Sequence, residues 1–399
     1  MIVVEPYPGV PIIDQDLEIV ERKGRGHPDS LCDAMMDAVS VALSQAYLRE
    51  FGSILHHNID KGLLAAGTVR KRFGGGEVLT PMELTIGDRA TREVRGRSIP
   101  VDEIAVEAAR SWMRRNMPHV DPERNISYRV LLAPGSEELT GIFARPGMKA
   151  ANDTSATVGY YPLSPTERMV LALEGHLNSP EFKSVHPETG EDIKVMALRR
   201  GRDLDLTVAM PLLCGAISSE GEYFARKEAL LEEMKMFVER SGEFGKVTIR
   251  YNALDEPGKG LDGVYLSLTG TSAEDADSGQ VGRGNRVNGV IPVNRPLGTE
   301  AAAGKNPVSH VGKIYNLLSH RMAETIHREV PGLREVTVYL VSTIGAPIDR
   351  PRLADAQLVP GPGRDVREVA PLAGEIMERE LAGIEGFCKD LSEGKYPLS

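Results

Sequence analysis

Leu31, Met35, Val39 and Leu43 recur at every fourth position. That is the spacing of a helix with one buried face, and Gly52 supplies a stop, so the pattern predicts a helix over 30–51. A second helix follows Pro100, with Ile104, Ala108 and Trp112 on one face. A third opens at Ser164-Pro165-Thr166-Glu167. This places a capping serine, a proline at the first helical position and a glutamate able to bond back to the cap. Met169, Leu173 and Leu177 form its apolar stripe. Further helices are predicted at 222–239, 307–328 and 371–384. Strand-like runs lie between them at 83–86, 127–132, 203–210, 246–251, 264–268 and 335–341. Several alternate apolar with polar residues, as antiparallel strands with one wet face do. Loop-like stretches fall at 71–81, 133–153, 252–262, 270–304 and 345–365. At about 35 residues, 270–304 is too long for a passive connection and is a candidate functional loop. The sum is an α+β chain of helices on mainly antiparallel sheets, in three comparable thirds: 1–145, 146–270 and 271–399.

Composition narrows the function. A hydrophobic share of 41% in 399 residues supports a sizeable core and argues against disorder. The formal charge of −10 and an aromatic share of 5% argue against a nucleic-acid partner, whether duplex or single-stranded. Cys32, Cys214 and Cys388 are far apart and form no C-x-x-C, so neither a disulfide framework nor a zinc site is expected. The N-terminal MIVVEPYPGVPIIDQD lacks the regions of a signal peptide, and the longest apolar stretch, 206–217, is short of the ~20 residues that span a bilayer. The expectation is a cytoplasmic protein without a membrane partner.

Two segments carry chemistry. Gly24-Arg25-Gly26-His27-Pro28-Asp29-Ser30 places a histidine and an aspartate where a Gly-rich loop meets a helix start. Free N–H groups and a partial positive charge there suit a phosphate and its metal, although an ordinary cap beside a surface histidine reads the same way. The second segment runs from Thr271 to Arg286, acids first, then Arg283 and Arg286 between glycines. From 281 to 313, five Lys/Arg face one acid, Glu300. Flexible glycine loops with such cations suit a polyphosphate. Gly298 to Gly304-Lys305-Asn306 has the wrong spacing and no Ser/Thr for a P-loop, and Gly282-Arg283-Gly284 is not a dinucleotide fingerprint. His56 and His57 point to opposite faces of any strand and read as structural. The residues alone imply an α+β enzyme for a phosphorylated substrate and a divalent cation, and leave the reaction open.

GRGHPDS at 24–30, HHNIDKGLLAAG at 56–67, GTSAEDADSGQVGRGNR at 270–286 and AAAGKNPVSHVGKIYN at 301–316 together resemble the S-adenosylmethionine synthetase (methionine adenosyltransferase) family, its archaeal-type branch in particular. The resemblance runs over nearly the whole chain. It implies three intertwined α+β domains related by a pseudo-threefold, and a homodimer with active sites between subunits. It implies attack of the methionine sulfur on C5′ of ATP, Mg²⁺, and hydrolysis of the tripolyphosphate to phosphate and pyrophosphate. By the same resemblance His27 lies near the triphosphate and the C5′ oxygen, and Asp29 is a magnesium ligand. Glu21 and Asp60 line the substrate site, and Asp153 and Asp277 lie on the methionine side. Asp192 and Lys194 contact ribose and phosphates, Arg283 binds phosphate, and Lys305 matches the lysine of the GKDP motif; the catalytic residues the resemblance implies are His27, Arg283 and Lys305.

The chain departs from the wider family at three points. Gly284 replaces the lysine that follows the phosphate arginine, and Arg286 is the expected substitute. The GKDP-x-K-x-D pattern reads GKNP-Val308-Ser309-His310-Val311, so a second lysine and a metal aspartate are missing; Lys313 or His310 is the expected replacement for the lysine. His56 stands where a K⁺-binding glutamate is found, which leaves a K⁺ requirement open. The basic segment 89–97 faces nucleotide, a subunit interface or solvent.

Overall fold

The computed structural model describes residues 1–135 and 149–398. In the first of three units, α1 (Pro28–Phe51) and α2 (Val101–Asn116) cover a sheet ordered Ile126–Ala133, Met82–Ala90, Leu63–Ala65, Gly279–Gln280, with His57–Asn58 added to Met82–Ala90. Leu31, Met35, Val39 and Leu43 of α1 are fully buried against Leu64, Leu84 and Ile86, as the four-residue period requires. On α2 the buried face is Val101, Ala105, Ala109 and Met113, one position on from the expected one. Ile104, Ala108 and Trp112 flank it, partly buried.

In the second unit, α3 (Pro165–Leu177), α4 (Pro180–Val185) and α5 (Glu220–Glu239) back a sheet ordered Val247–Tyr251, Asp203–Ala209, Lys194–Arg200, Leu17–Lys23, Ile291–Pro292. The capping box forms as read: Ser164 Oγ accepts the Glu167 N–H at 3.0 Å, and Glu167 accepts the Ser164 N–H at 2.6 Å. In the third, α6 (Val311–Glu329), α7 (Val366–Ala382) and α8 (Ile384–Ser392) back a sheet ordered Ile2–Pro6, Leu353–Pro360, Leu333–Val341, Ala156–Tyr161. The units are intertwined. The first strand of the chain pairs in the third sheet, the second strand in the second sheet, and Gly279–Gln280 returns to the first. Pairing is mainly antiparallel, with parallel contacts such as Ile126–Ala133 beside Met82–Ala90.

Some expectations need correction. The stretch 71–81 is not a loop: Thr68–Arg72 and Gly75–Thr80 pair as a hairpin, with Gly74 (φ 83°) and Gly75 (φ 153°) at its tip. Its glycines mark the turn rather than the whole segment. The segment 345–365 contains Leu353–Pro360, which is largely buried and so lacks the alternation that betrays a strand. Only Leu266–Ser267 of 264–268 pairs as a strand. The helix at 371–384 starts earlier, at Val366, and keeps Pro371 inside. The loop expected at 133–153 and the 145/146 division fall wholly or partly outside the described residues. Among the described residues, no helix is long and apolar enough to cross a membrane, and all three cysteines are buried and free.

A buried ionic network joins the second and third units. The Arg295 guanidinium donates to both oxygens of Glu167, at 3.1 and 2.9 Å, and pairs with Glu335 at 3.0 Å. It also lies 4.0 Å from the ring centroid of Tyr160, whose hydroxyl donates to Glu167 at 2.7 Å. Burying charge is tolerable only when every partner stays in place. Arg295→Ala would strand two buried carboxylates and is expected to destabilise the fold by about 3–5 kcal/mol in denaturant titration. His320 packs edge-on to Tyr160, and burial pushes its pKa down to about 4, from an ordinary 6.5. The unfolded chain therefore takes up this proton first, and stability falls as pH drops from 6.5 toward 4. His320→Phe should lose about 2 kcal/mol less than the parent chain between pH 6.5 and pH 5, measured by urea unfolding.

Candidate active site

The turn before α1 is built on glycines because the backbone has no room for side chains. A Cβ on Gly24 would lie 2.5 Å from the Ile193 carbonyl oxygen, and one on Gly26 would lie 2.5 Å from the Asp192 nitrogen. Glu174 of α3 fixes the turn from behind. It accepts from Arg22 Nε at 2.8 Å and from the Arg25 N–H at 3.2 Å. His27 then caps α1, its Nδ1 accepting the Asp29 N–H at 3.2 Å. Burial pushes the His27 pKa down to about 4, against the pull of Asp29, so the ring is neutral at neutral pH. With Nδ1 accepting, Nε2 carries the proton, and the ring is a neutral donor.

Along α1, Asp29, Asp33 and Asp37 lie four residues apart, on one helix face. Each grips the same distant segment. Asp29 Oδ1 accepts the Gln280 N–H at 2.9 Å, and its Oδ2 receives Lys23 Nζ at 2.9 Å. Asp33 Oδ1 accepts the Gly282 N–H at 2.9 Å. Asp37 Oδ1 accepts the Gly304 N–H at 3.4 Å and pairs with Lys313 Nζ. The cationic loop is thereby tied to the helix that presents His27. Burial raises the Asp33 pKa to about 7, although the loop N–H groups and Arg286 oppose the shift.

Around His27 the sheet supplies an ion pair, Glu21 to Lys194 at 3.2 Å. Asp192 is fully enclosed, and its Oδ2 accepts the Ser272 N–H at 2.8 Å and the Ser272 hydroxyl. Burial raises its pKa to about 7. Asp277 is exposed, and its charge acts on both His27 and Asp192. The exposed Arg283 follows on the same loop, its carbonyl accepting from Lys23 Nζ at 2.6 Å. The structure therefore gathers Glu21, His27, Asp29, Asp192, Lys194, Asp277 and Arg283 around one helix start.

The remaining candidates group differently. Lys305 is buried between Asp60 at 2.8 Å and Glu300 at 2.7 Å, with ligand atoms of Asp60, Glu300 and His310 all within 4.8 Å of one another. Burial alone would raise the Asp60 pKa, but Lys305 and Lys61 outweigh it and hold the carboxylate below its usual range. His310 repeats the His27 arrangement at the start of α6, its Nδ1 accepting the Gly312 N–H at 3.2 Å, and burial pushes its pKa down to about 3. Asp60, Asp88 and Glu300 face Lys61, Lys305 and Arg89 here, and their carboxylates are the hard oxygen donors that Mg²⁺ prefers. At the helix start both Asp29 oxygens have partners, as both Asp60 oxygens do here. Arg286 is not turned outward: its Nη2 donates to the Gly282 and Gly284 carbonyls at 2.8 and 3.0 Å. Lys313 is likewise buried on Asp37. Asp153 lies apart, exposed and accepting the N–H of its neighbour Thr154 at 2.7 Å.

Sequence reasoning missed Lys23, Asp33, Asp37, Glu174, Ser272 and, as a ligand, Glu300. The four-residue spacing of the α1 acids was legible as a helix face, but their partners lie some 250 residues away. In the basic segment, Arg92 forms a bidentate pair with Asp102 and Arg97 pairs with Glu50, which accounts for both within this chain.

Residues 1–395 match the family model for S-adenosylmethionine synthetase (AdoMet synthetase). An S-adenosylmethionine synthase of Aeropyrum pernix is 46% identical over 403 residues, covering 98% of each chain. Another from Pyrococcus furiosus is 44% identical over 400 residues, covering 100% of this chain and 99% of its own. A solved structure of an unusual S-adenosylmethionine synthetase from Campylobacter jejuni superposes with a TM-score of 0.57 at 14% identity, covering 94% of this chain and 100% of its own, which supports the fold. With a family match from end to end and relatives well above 40% identity over full length, the chain belongs to the S-adenosylmethionine synthetase family.

Proposed function

We propose that this chain synthesises S-adenosylmethionine from ATP and L-methionine, in the site at the start of α1, and splits the tripolyphosphate before release. The observation that carries the reading is the clamp of the Arg283 loop onto the helix that His27 caps. The sulfur is a neutral nucleophile and the whole triphosphate departs, so little proton transfer is needed. The protein must align sulfur with C5′ and stabilise the charge that leaves. His27 offers a neutral Nε2–H to the bridging or terminal oxygens, and a neutral donor does not attract a second anion in its place. Arg283 and Lys194 supply positive charge, and Asp192 suits a ribose hydroxyl. Asp277 suits the methionine amine and the forming sulfonium.

Bound Mg²⁺ would neutralise triphosphate charge; Asp60 and Glu300, with Asp29, are the residues proposed to hold it. Asp153 is proposed to serve the site of a second copy in a homodimer, supported by its exposure away from this chain's own His27 cluster. A cytoplasmic location fits these substrates.

Incubation with ATP, methionine and Mg²⁺ should yield S-adenosylmethionine, phosphate and pyrophosphate by chromatography. Phosphate release indifferent to methionine would instead mark a phosphotransferase or polyphosphate hydrolase. Arg283→Ala should lower kcat by about 10²–10³-fold, the cost of one lost transition-state donor, with thermal stability unchanged. Asp60→Asn and Glu300→Gln should each raise the Mg²⁺ concentration needed for half-maximal rate. A rise seen only in Asp29→Asn would place the metal at the helix start alone.

A further inference from the structure

We propose that Asp33 is a positioning residue for the reaction, acting through Arg283 by holding the two glycines that flank it. The inference rests on the reading of Arg283 as a ligand of the leaving triphosphate. The contacts are specific to that tripeptide. The Gly282 N–H donates to Asp33 Oδ1 at 2.9 Å, and Gly284 comes so close that a Cβ there would lie 2.2 Å from Asp33 Oδ2. Gly282 also adopts φ 86°, a left-handed conformation that glycine takes without strain.

From the other side, Arg286 Nη2 grips the carbonyls of the same two glycines at 2.8 and 3.0 Å. The Arg283 peptide is tied as well: its N–H donates to the Gln280 carbonyl at 3.2 Å, and its own carbonyl accepts from Lys23 at 2.6 Å. The backbone beneath Arg283 is thus fixed while its side chain remains exposed. A guanidinium carried on a fixed backbone loses less freedom when it meets an anion, so part of the ordering needed for catalysis is complete beforehand. Asp33 sits one helical turn after Asp29 and one before Asp37, so it acts from within α1, the most deeply buried helix of its unit. It reaches the substrate only through the loop.

A double-mutant cycle tests this on the full chain, with Mg²⁺ and inorganic tripolyphosphate as the probe in calorimetry and kcat and KM for ATP in parallel. Asp33→Ala is expected to weaken tripolyphosphate binding about tenfold, and to do so by less than about twofold once Arg283 is already alanine. Asp33→Asn keeps an oxygen for the Gly282 N–H and should recover part of the loss. If Asp33→Ala does not fold, the smaller loss in Asp33→Asn must still vanish in the Arg283→Ala background. Equal losses with and without Arg283 would show a general structural role and overturn the inference. So would an unchanged affinity in Asp33→Ala where Arg283→Ala binds weakly. Unchanged binding in Arg283→Ala itself would overturn the reading of Arg283, and this inference with it.

Discussion

Everything at the site depends on one constraint: a glycine-rich loop far along the chain must lie flat on the first long helix. Three carboxylates enforce it. A loop of this length would otherwise sample many conformations, and each ordered residue costs about 1–2 kcal/mol of backbone entropy. Hydrogen bonds accepted by Asp29, Asp33 and Asp37 offset that cost at three points, 2.9 to 3.4 Å from their N–H partners. The glycines matter for the same reason. Gly279 would clash with the Pro28 carbonyl oxygen at 2.0 Å and Gly304 with the Ile59 carbonyl oxygen at 2.3 Å if either carried a Cβ. The loop is thus rich in glycine because it is tightly packed rather than because it is loose.

The two histidine caps follow from this packing. His27 and His310 each bond the N–H two residues on, and each is pressed by burial toward its neutral form. A helix start usually takes Ser, Thr, Asp or Asn as its cap. A histidine there does the same work with Nδ1 and still presents a second nitrogen. At α1 that nitrogen lies among the gathered acids and cations. At α6 the ring lies within reach of Asp60 and Glu300. Two helix starts from different units therefore use the same local device, each beside one of the two groups of candidate residues.

How much of this was legible beforehand depended on whether the signal was local. The helix 30–51, the capping box at Ser164 and the long loop 270–304 are written in neighbouring residues. So are the site motifs, since the glycines and histidines stand next to each other. What escaped detection was non-local. Ile2–Pro6 and Leu17–Lys23 are short strands whose partners lie far along the chain, Leu353–Pro360 and Lys194–Arg200. Leu353–Pro360 is buried on both faces, so period two vanishes. The roles of Lys305 and Lys313 were half legible. Their positive charge is plain in the sequence, but their acids come from Asp60 and Asp37, each more than 240 residues upstream.

Those hidden acids change the meaning of the local charge. Counted along the chain, 281–313 is a cationic stretch inside an acidic protein. Counted in space, Lys305 and Lys313 are already paired and Arg286 is occupied by carbonyls, which leaves Arg283 as the exposed arginine of the loop. Lys194, also within reach, pairs with Glu21. A polyanion arriving here exchanges partners with carboxylates rather than meeting bare charge. Such a site attracts any stray polyanion weakly and gains affinity only when a ligand matches several cations at once and displaces their acids together. With the other cations paired in advance and Arg283 alone exposed among the loop arginines, a ligand that matches several cations together is favoured over a stray anionic polymer, which the overall charge of −10 also repels.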